Sequence, residues 1–205
     1  MNEKLDFKKL YRDLYAPGGN PVLIDVPPIR FIMVDGCGDP QGEMYQQAIQ
    51  LLYALSFTIK MSKMNGAQPV GYVDYVVPPL EGLWSHTEGE RENWRWTSII
   101  RQPDFVTSEV FGWAKEQVKK KKPELDTSIA RLESFTEGRC VQLLHVGPYS
   151  TEPESISRIM SFIEKNNLRA ELNEGRRHHE IYLSDPRRTA PERLKTILRL
   201  PVIEK

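Results

Sequence analysis

The chain has 205 residues, 40% of them apolar and 27% charged, the balance of an ordinary globular protein rather than of a disordered one. Its 28 basic residues cancel its 28 acidic ones, so no net field draws it to DNA, RNA or an anionic membrane, and direct nucleic-acid binding is not expected. No stretch approaches the roughly 20 apolar residues of a membrane span, residues 1–15 lack the apolar core of a signal peptide, and Cys37 and Cys140 show no CxxC spacing, so free thiols in the cytoplasm are expected.

Residues 29–34 form an apolar, β-branched run ending at Gly36 and Gly38, and Asp39-Pro40 then reads as a helix N-cap followed by an N1 proline. Met44, Ala48, Leu51, Leu52, Leu55 and Ile59 recur at the three-and-four spacing of a one-sided helix. Residues 94–100 read as a strand reaching Pro103, after which Thr107 caps a helix through Phe111, Ala114 and Val118. The lysines at 119–122 close that helix, where cations meet its negative end, and read as a solvated terminus rather than a basic patch. Residues 128–135, the turn 136–138 and the strand from Arg139 read as a hairpin.

An apolar strand over residues 140–146 then meets Gly147-Pro148, and Thr151 with Glu154 three residues on predicts a capping box. Ile156, Ile159, Met160 and Ile163 continue it as another one-sided helix. Residues 178–183 read as a strand reaching Pro186, with Thr189 as the cap of a short helix that has Pro191 in its first turn and extends through Leu194. Laying Gly36 on Gly147 puts Ala48 on Ile159 and Leu52 on Ile163, so the apolar stripes coincide, and residues 94–100 find their counterpart in 178–183. The expectation is one α+β domain over residues 1–205, made of an N-terminal segment 1–21 and two halves at about 22–122 and 128–205. Each half is a strand-helix-strand-strand unit, and together they give an antiparallel sheet with helices on one face and a ligand cleft between the pseudo-symmetric halves.

Side chains alternate across a strand, so His178, Glu180 and Tyr182 share one face while His179, Ile181 and Leu183 share the other. The aliphatic face is expected under the helices, leaving Glu180 and Tyr182 on the uncovered side. Trp94, Trp96 and Ser98 share a face in the first half, and Trp84, Tyr149 and Glu81 are further candidates for the cleft wall. A carboxylate walled by aromatic rings suits a flat, cationic or polarised organic ligand. Glu109, just after the Thr107 cap, is a further open carboxylate.

Gly36-Cys37-Gly38 invites a dinucleotide reading, but the third glycine falls at Gly42 where the fingerprint wants position 41, so no cofactor is expected. His178 and His179 lie on opposite strand faces and cannot share a metal, so none is expected. Cys37 has no histidine nearby in sequence to make it a nucleophile.

Residues 145–149 (His-Val-Gly-Pro-Tyr), the helix after them, and Glu180-Ile181-Tyr182 with Asp185-Pro186 resemble the GyrI-like family, related to the effector-binding domains of multidrug-responsive transcription activators. The resemblance spans nearly the whole chain and implies a cleft in which Glu180 contacts the ligand. Those effector domains are usually fused to a helix-turn-helix segment, and nothing before Ile29 is long or basic enough to be one, which disfavours a transcription factor. Residues 80–84, Trp94, Trp96 and residues 101–105 look like a stand-alone branch whose members hydrolyse the cyclopropane of spirocyclopropyl DNA-alkylating antibiotics. The resemblance thus implies a detoxifying, drug-resistance hydrolase. Glu180 would activate water, Glu81 would be a second carboxylate, Tyr182 or Tyr149 would donate to the drug's carbonyl, and Trp84, Trp94, Trp96 and His178 would line the ligand site. A non-catalytic module that sequesters or senses drugs stays open, as does, less favoured, an inhibitor that acts on gyrase through a protein surface.

Overall fold

A computed structural model describes residues 4–85 and 90–205; residues 1–3 of the N-terminal segment lie outside the described residues. Two single-turn helices, α1 (Phe7–Leu10) and α2 (Arg12–Tyr15), precede β1 (Val22–Val26), β2 (Ile29–Cys37) and the long helix α3 (Glu43–Lys60). β3 (Leu80–Ser85), β4 (Arg95–Arg101) and α4 (Ser108–Lys121) complete the first half. The second runs through β5 (Ala130–Phe135), β6 (Gly138–Val146), α5 (Glu152–Lys165), β7 (Leu168–Ala170), β8 (His178–Tyr182) and β9 (Lys195–Glu204).

The strands pair antiparallel in one nine-stranded sheet, ordered β1-β6-β9-β8-β3-β4-β2-β5 with β7 on β9. Outward from the β3–β8 junction both halves repeat the same order, so the doubling read in the sequence is a pseudo-twofold in the fold. The aligned helix positions agree with it: Ala48, Leu52, Ile159 and Ile163 are all buried. The strand equivalences differ from expectation, because β8 is matched by β3 and β9 by β4. Residues 195–204, not anticipated as a strand, are buried almost throughout; with both faces covered they carry no alternation to read.

The hairpin expected over residues 128–146 does not form. β5 pairs with β2 and β6 with β1, so each half lends its leading strand to the other. Only Pro27-Pro28 separates β1 from β2, and only Thr136-Glu137 separates β5 from β6, yet the joined strands lie toward opposite ends of the sheet. A trans peptide step spans about 3.8 Å, so the sheet has to curl until its ends approach, which creates an inner and an outer face.

On the outer face α3 and α4 cover β2 and β4 through Leu52, Leu55, Ile59, Ile32 and Ile100, and α5 covers β6 and β9 through Ile159, Ile163, Leu143 and Leu198. The inner face is filled by the N-terminal segment, whose Phe7, Leu14 and Tyr15 pack on Met33, Leu83, Ile99, Ile181 and Ile197. Each fully buried Leu, Ile or Phe contributes about 1.5–3 kcal/mol. Arg101 stacks its guanidinium 4.1 Å from the Tyr11 ring centre, which anchors this cation to the segment.

Some local expectations shift. Thr107 caps α4, accepting from the Val110 amide at 3.3 Å. Asp39 instead closes a turn onto the Gln41 amide at 2.8 Å, and Gly42 is the cap of α3. Thr151 stands at the cap of α5, but its hydroxyl donates to the Pro148 carbonyl at 2.9 Å instead of forming the capping box. Met44 and Met160 are exposed rather than part of the stripes. Thr189 caps nothing: Ala190 precedes a single 3₁₀ turn at Pro191–Arg193.

Candidate functional site

Strand β8 alternates as expected, but its faces are exchanged relative to the prediction. Ile181 and His179 point to the inner face and meet the N-terminal segment. Glu180 and Tyr182 lie on the helix-bearing face, where α3 and α5 diverge about the pseudo-twofold and leave a gap. The prediction assumed a single covered face; the curled sheet has two. The gap is a cleft of about 1880 Å³, well above the roughly 300–1,000 Å³ of common small-molecule pockets. Tyr45, Ile49 and Tyr53 of α3 line one wall, Tyr149, Glu152 and Ile156 the other, and Trp84, Trp94, His178, Glu180 and Tyr182 the floor, with Asp185 at its edge.

A hydrogen-bond chain fixes the floor. The Trp84 indole donates to the Tyr182 hydroxyl at 3.0 Å, and that hydroxyl donates to Oε2 of Glu180 at 2.7 Å. Because indole is donor-only, it orients the phenol toward the carboxylate. The chain fits only because Gly82 stands opposite Glu180 in the register: a Cβ there would lie 2.8 Å from the Trp84 Nε1 and 3.0 Å from the Tyr182 oxygen. Glycine inside a strand commonly marks such a close approach.

Electrostatics in the cleft are dominated by desolvation. Glu180, its side chain 14% exposed, has its carboxyl pushed up to about 7, chiefly by burial. Glu152 is pushed up to about 8 by burial and then by the Glu180 charge. His178 Nε2 lies 3.8 Å from Glu180 Oε1, yet burial first, and the charge of His179 second, hold it down at about 4; it stays neutral and offers no countercharge. The phenols of Tyr45 and Tyr149 are pushed up to about 12, mainly by burial, so both remain hydrogen-bond donors. At neutral pH the cleft therefore presents two carboxyls that burial draws toward their neutral forms, ringed by phenols and indoles. Trp84 and Trp94 meet edge to face at 6.1 Å, and Tyr149 and Tyr182 at 6.3 Å.

Of the residues singled out in the sequence, Glu180, Tyr182, Trp84, Trp94, Tyr149 and His178 come together in this cleft. Three do not. Glu81 projects to the inner face beside Ile181, 1% exposed; its place out of phase with Trp84 on the same strand was the signal. Trp96 is core: 1% exposed, packed edge-on against Tyr45 at 4.9 Å, with its indole on the Gly38 carbonyl at 3.3 Å, and lying where any Cβ on Gly36 would collide with its ring. Glu109 is exposed on α4 and does not line the cleft. Sequence reading missed Glu152, Tyr45 and Gly82. Glu152 sits one turn after Tyr149 and one before Ile156, a spacing that puts all three on one side, but attention went to Glu154 as a capping residue.

Behind the floor lies a second, closed cluster. His179 stands between Glu81 and Glu137, its ring nitrogens 2.9 Å from each carboxylate, and Glu137 also pairs with Arg199 at 2.6 Å. Arg199 donates to Gln142 and to the Leu14 carbonyl, and Tyr15 donates to Glu81 at 3.0 Å, so the N-terminal segment closes the cluster. Burial works against the charge on His179, but Glu137 and Glu81 outweigh it and raise the imidazole to about 9. Burial likewise works against the Glu137 carboxylate, and His179 and Arg199 hold it down at about 2. Among the described residues no group of three or more His, Cys, Asp or Glu is placed to hold a metal ion, and no helix is long and apolar enough to cross a membrane.

Comparison with known proteins agrees with this fold. The family described as the GyrI-like small molecule binding domain matches residues 19–203. A solved structure described as a hydrolase from Listeria innocua is 55% identical, covers 98% of this chain and 100% of its own, and superposes with a TM-score of 0.93. An uncharacterized conserved protein from Listeria innocua is also 55% identical over 98% and 100% of the two chains, with a TM-score of 0.94. The EcmrR C-terminal domain, 14% identical over 91% of this chain and 98% of its own with a TM-score of 0.57, shares the fold alone. Comparison with curated protein sequences finds no significant match.

Proposed function

Because the chain belongs to the GyrI-like small-molecule-binding family, we propose that the cleft takes a flat aromatic ligand with a cationic or polarised centre and hydrolyses the cyclopropane of spirocyclopropyl DNA-alkylating antibiotics, protecting the cell that makes it. The observation that carries this reading is the pair of desolvated carboxyls, Glu180 and Glu152, in an aromatic-walled cleft. Such a pair supplies a base and an acid at one pH. The hydrolase from Listeria innocua at 55% identity supports a hydrolytic reaction.

In this reading the ionised Glu180, held by Tyr182, takes a proton from a water as its oxygen bonds to the methylene carbon of the strained ring. The ring's carbon–carbon bond breaks and its electron pair enters the dienone, giving a phenolate that Glu152 protonates. Drug and water are consumed, the ring-opened alcohol leaves as a phenol, and the proton taken up by Glu180 passes to Glu152 to reset the pair. Tyr45 and Tyr149 stand as donors for the developing oxyanion, and Trp84 and Trp94 hold the flat ring system. The strain already resides in the substrate, so positioning and modest acid–base help suffice.

The test is incubation of the protein with a spirocyclopropyl alkylating antibiotic, following ring-opened product by chromatography. Catalytic product is expected from the wild type, with a loss of roughly 10²–10⁴-fold in Glu180→Gln. Saturable binding without turnover would replace the hydrolase by a drug-sequestering module.

A further inference from the structure

We infer that His179 is a positioning residue for the cleft: its imidazolium, locked on the inner face of β8, is a fixed positive charge behind Glu180 that keeps this carboxyl available in its ionised form. The inference deepens the reading of Glu180 as the cleft's working carboxylate.

Three observations carry it. His179 and Glu180 are consecutive on one strand, so their side chains leave the same backbone in opposite directions and the imidazolium lies within one sheet thickness of the carboxylate. The imidazole lies between two carboxylates, Glu81 2.9 Å from Nε2 and Glu137 2.9 Å from Nδ1, and an anion at each end of a buried ring favours its charged form. The ring is 1% exposed, so no water screens it from the strand and its field passes through low-dielectric protein.

Among the described residues, titratable groups face each member from several elements. Around His179 these are Glu81 from β3, Glu137 before β6, Arg199 from β9, with Tyr15 from α2 on Glu81. Around Glu180 they are His178 and Tyr182 of β8, Tyr45 of α3, Tyr149, and Glu152 of α5. Of these five groups none carries a positive charge at neutral pH, since His178 is held neutral; Arg91 and Arg187 also line the cleft. His179, one residue away on the same strand, is the cation whose charge favours the Glu180 carboxylate, and it also suppresses protonation of its neighbour His178. Arg199, on β9, is tied to Glu137 and Gln142, whereas His179 is the residue next to Glu180 on β8 itself.

The experiment reads Glu180 without any ligand, so its result is independent of whether the hydrolytic reading holds. Protein labelled with ¹³C at the glutamate carboxyl is titrated by NMR, with the Glu180 resonance assigned by its loss in Glu180→Gln. His179→Gln, which keeps a buried side chain able to donate to one carboxylate, is expected to raise the Glu180 midpoint by on the order of one pH unit. Glu81→Gln, which leaves His179 paired with Glu137, is expected to leave that midpoint nearly in place. A purely structural cluster would give the opposite pattern: equal loss of stability in both variants and an unmoved Glu180 midpoint, which overturns the inference. Should His179→Gln fail to fold, the double variant His179→Gln with Glu81→Gln removes the cation and one of its anions together, and an unmoved midpoint there overturns the inference equally.

Discussion

On the inner face of β8, His179 stands between Glu81 and Glu137 at 2.9 Å from each; on the outer face, one residue along, Glu180 has the Tyr182 hydroxyl at 2.7 Å and a neutral His178 at 3.8 Å. Both faces withdraw ionisable groups from water, and both incur the same kind of desolvation cost. Inside, opposite charges offset it, so Glu137 keeps its charge down to about 2 and His179 keeps its own up to about 9. Outside, the offset is only partial: the Tyr182 hydroxyl and the His179 charge favour the Glu180 carboxylate, but burial prevails and Glu180 and Glu152 move toward neutrality at about 7 and 8. A cluster that satisfies itself serves the fold, whereas a cluster left wanting a partner is where a ligand or a reacting centre supplies one.

The sharpest way to break this comparison is to remove one charge from each face. Glu137→Ala strands Arg199 and His179 without their shared anion, and a loss of about 3–5 kcal/mol in unfolding free energy is expected from urea titration. Glu180→Gln, by contrast, removes a carboxyl that the fold compensates only in part, and is expected to leave stability unchanged or slightly higher. Equal destabilisation by the two variants would mean that the faces do not differ in kind.

A smaller effect on stability, with a larger one on the site, is expected from Gly82→Ala. The added methyl would sit 2.8 Å from the Trp84 nitrogen, so indole and phenol must part and the chain to Glu180 breaks. Overpacking of this kind costs about 1–3 kcal/mol. Turnover or ligand binding should fall more than that loss accounts for, alongside a changed indole fluorescence. Full activity with unaltered fluorescence would show that the Trp84–Tyr182–Glu180 chain is not needed.

Much of this was legible in the sequence, and the failures have physical causes. The doubled apolar stripes of α3 and α5 were visible because each helix buries one side only. The alternation of His178, Glu180 and Tyr182 was visible as well, since a strand's period is fixed by geometry. Which face looked at what was not, because the curled sheet packs against helices outside and the N-terminal segment inside, and no local pattern encodes that segment's path. The β1–β6 and β5–β2 pairings, made across the halves, defeated the hairpin reading for the same reason: local turn chemistry cannot announce a distant partner. Trp94 and Trp96 share a strand phase, yet Trp94 lines the cleft while Trp96 is sealed beneath α3 by Tyr45 and Gly36. Glu137 read as part of a hairpin turn and is 6% exposed.

The remaining contrast between the faces is their response to pH, and Glu152→Gln isolates it. The Glu152 carboxyl is raised from 4.5 to about 8 in the folded protein, so the fold holds its proton more tightly than the unfolded chain does. Its contribution to stability is therefore fully present below pH 4.5 and is lost as pH rises through about 8. His179, raised from 6.5 to about 9, loses its contribution over a higher window, but it does so in wild type and variant alike and cancels in their difference. Glu137, lowered from 4.5 to about 2, acts in the opposite sense: its contribution is present above pH 4.5 and lost as pH falls through 2. The acid limb of the stability profile thus belongs to the inner face. Urea midpoints for wild type and Glu152→Gln should coincide at about pH 4 and diverge through neutrality, with the variant more stable by about 1 kcal/mol at the alkaline end; the full shift would give more, but the open cleft keeps water near the carboxyl. A difference that is flat with pH would mean that Glu152 ionises as freely in the cleft as in water, and that the outer face bears no uncompensated charge for a ligand to answer.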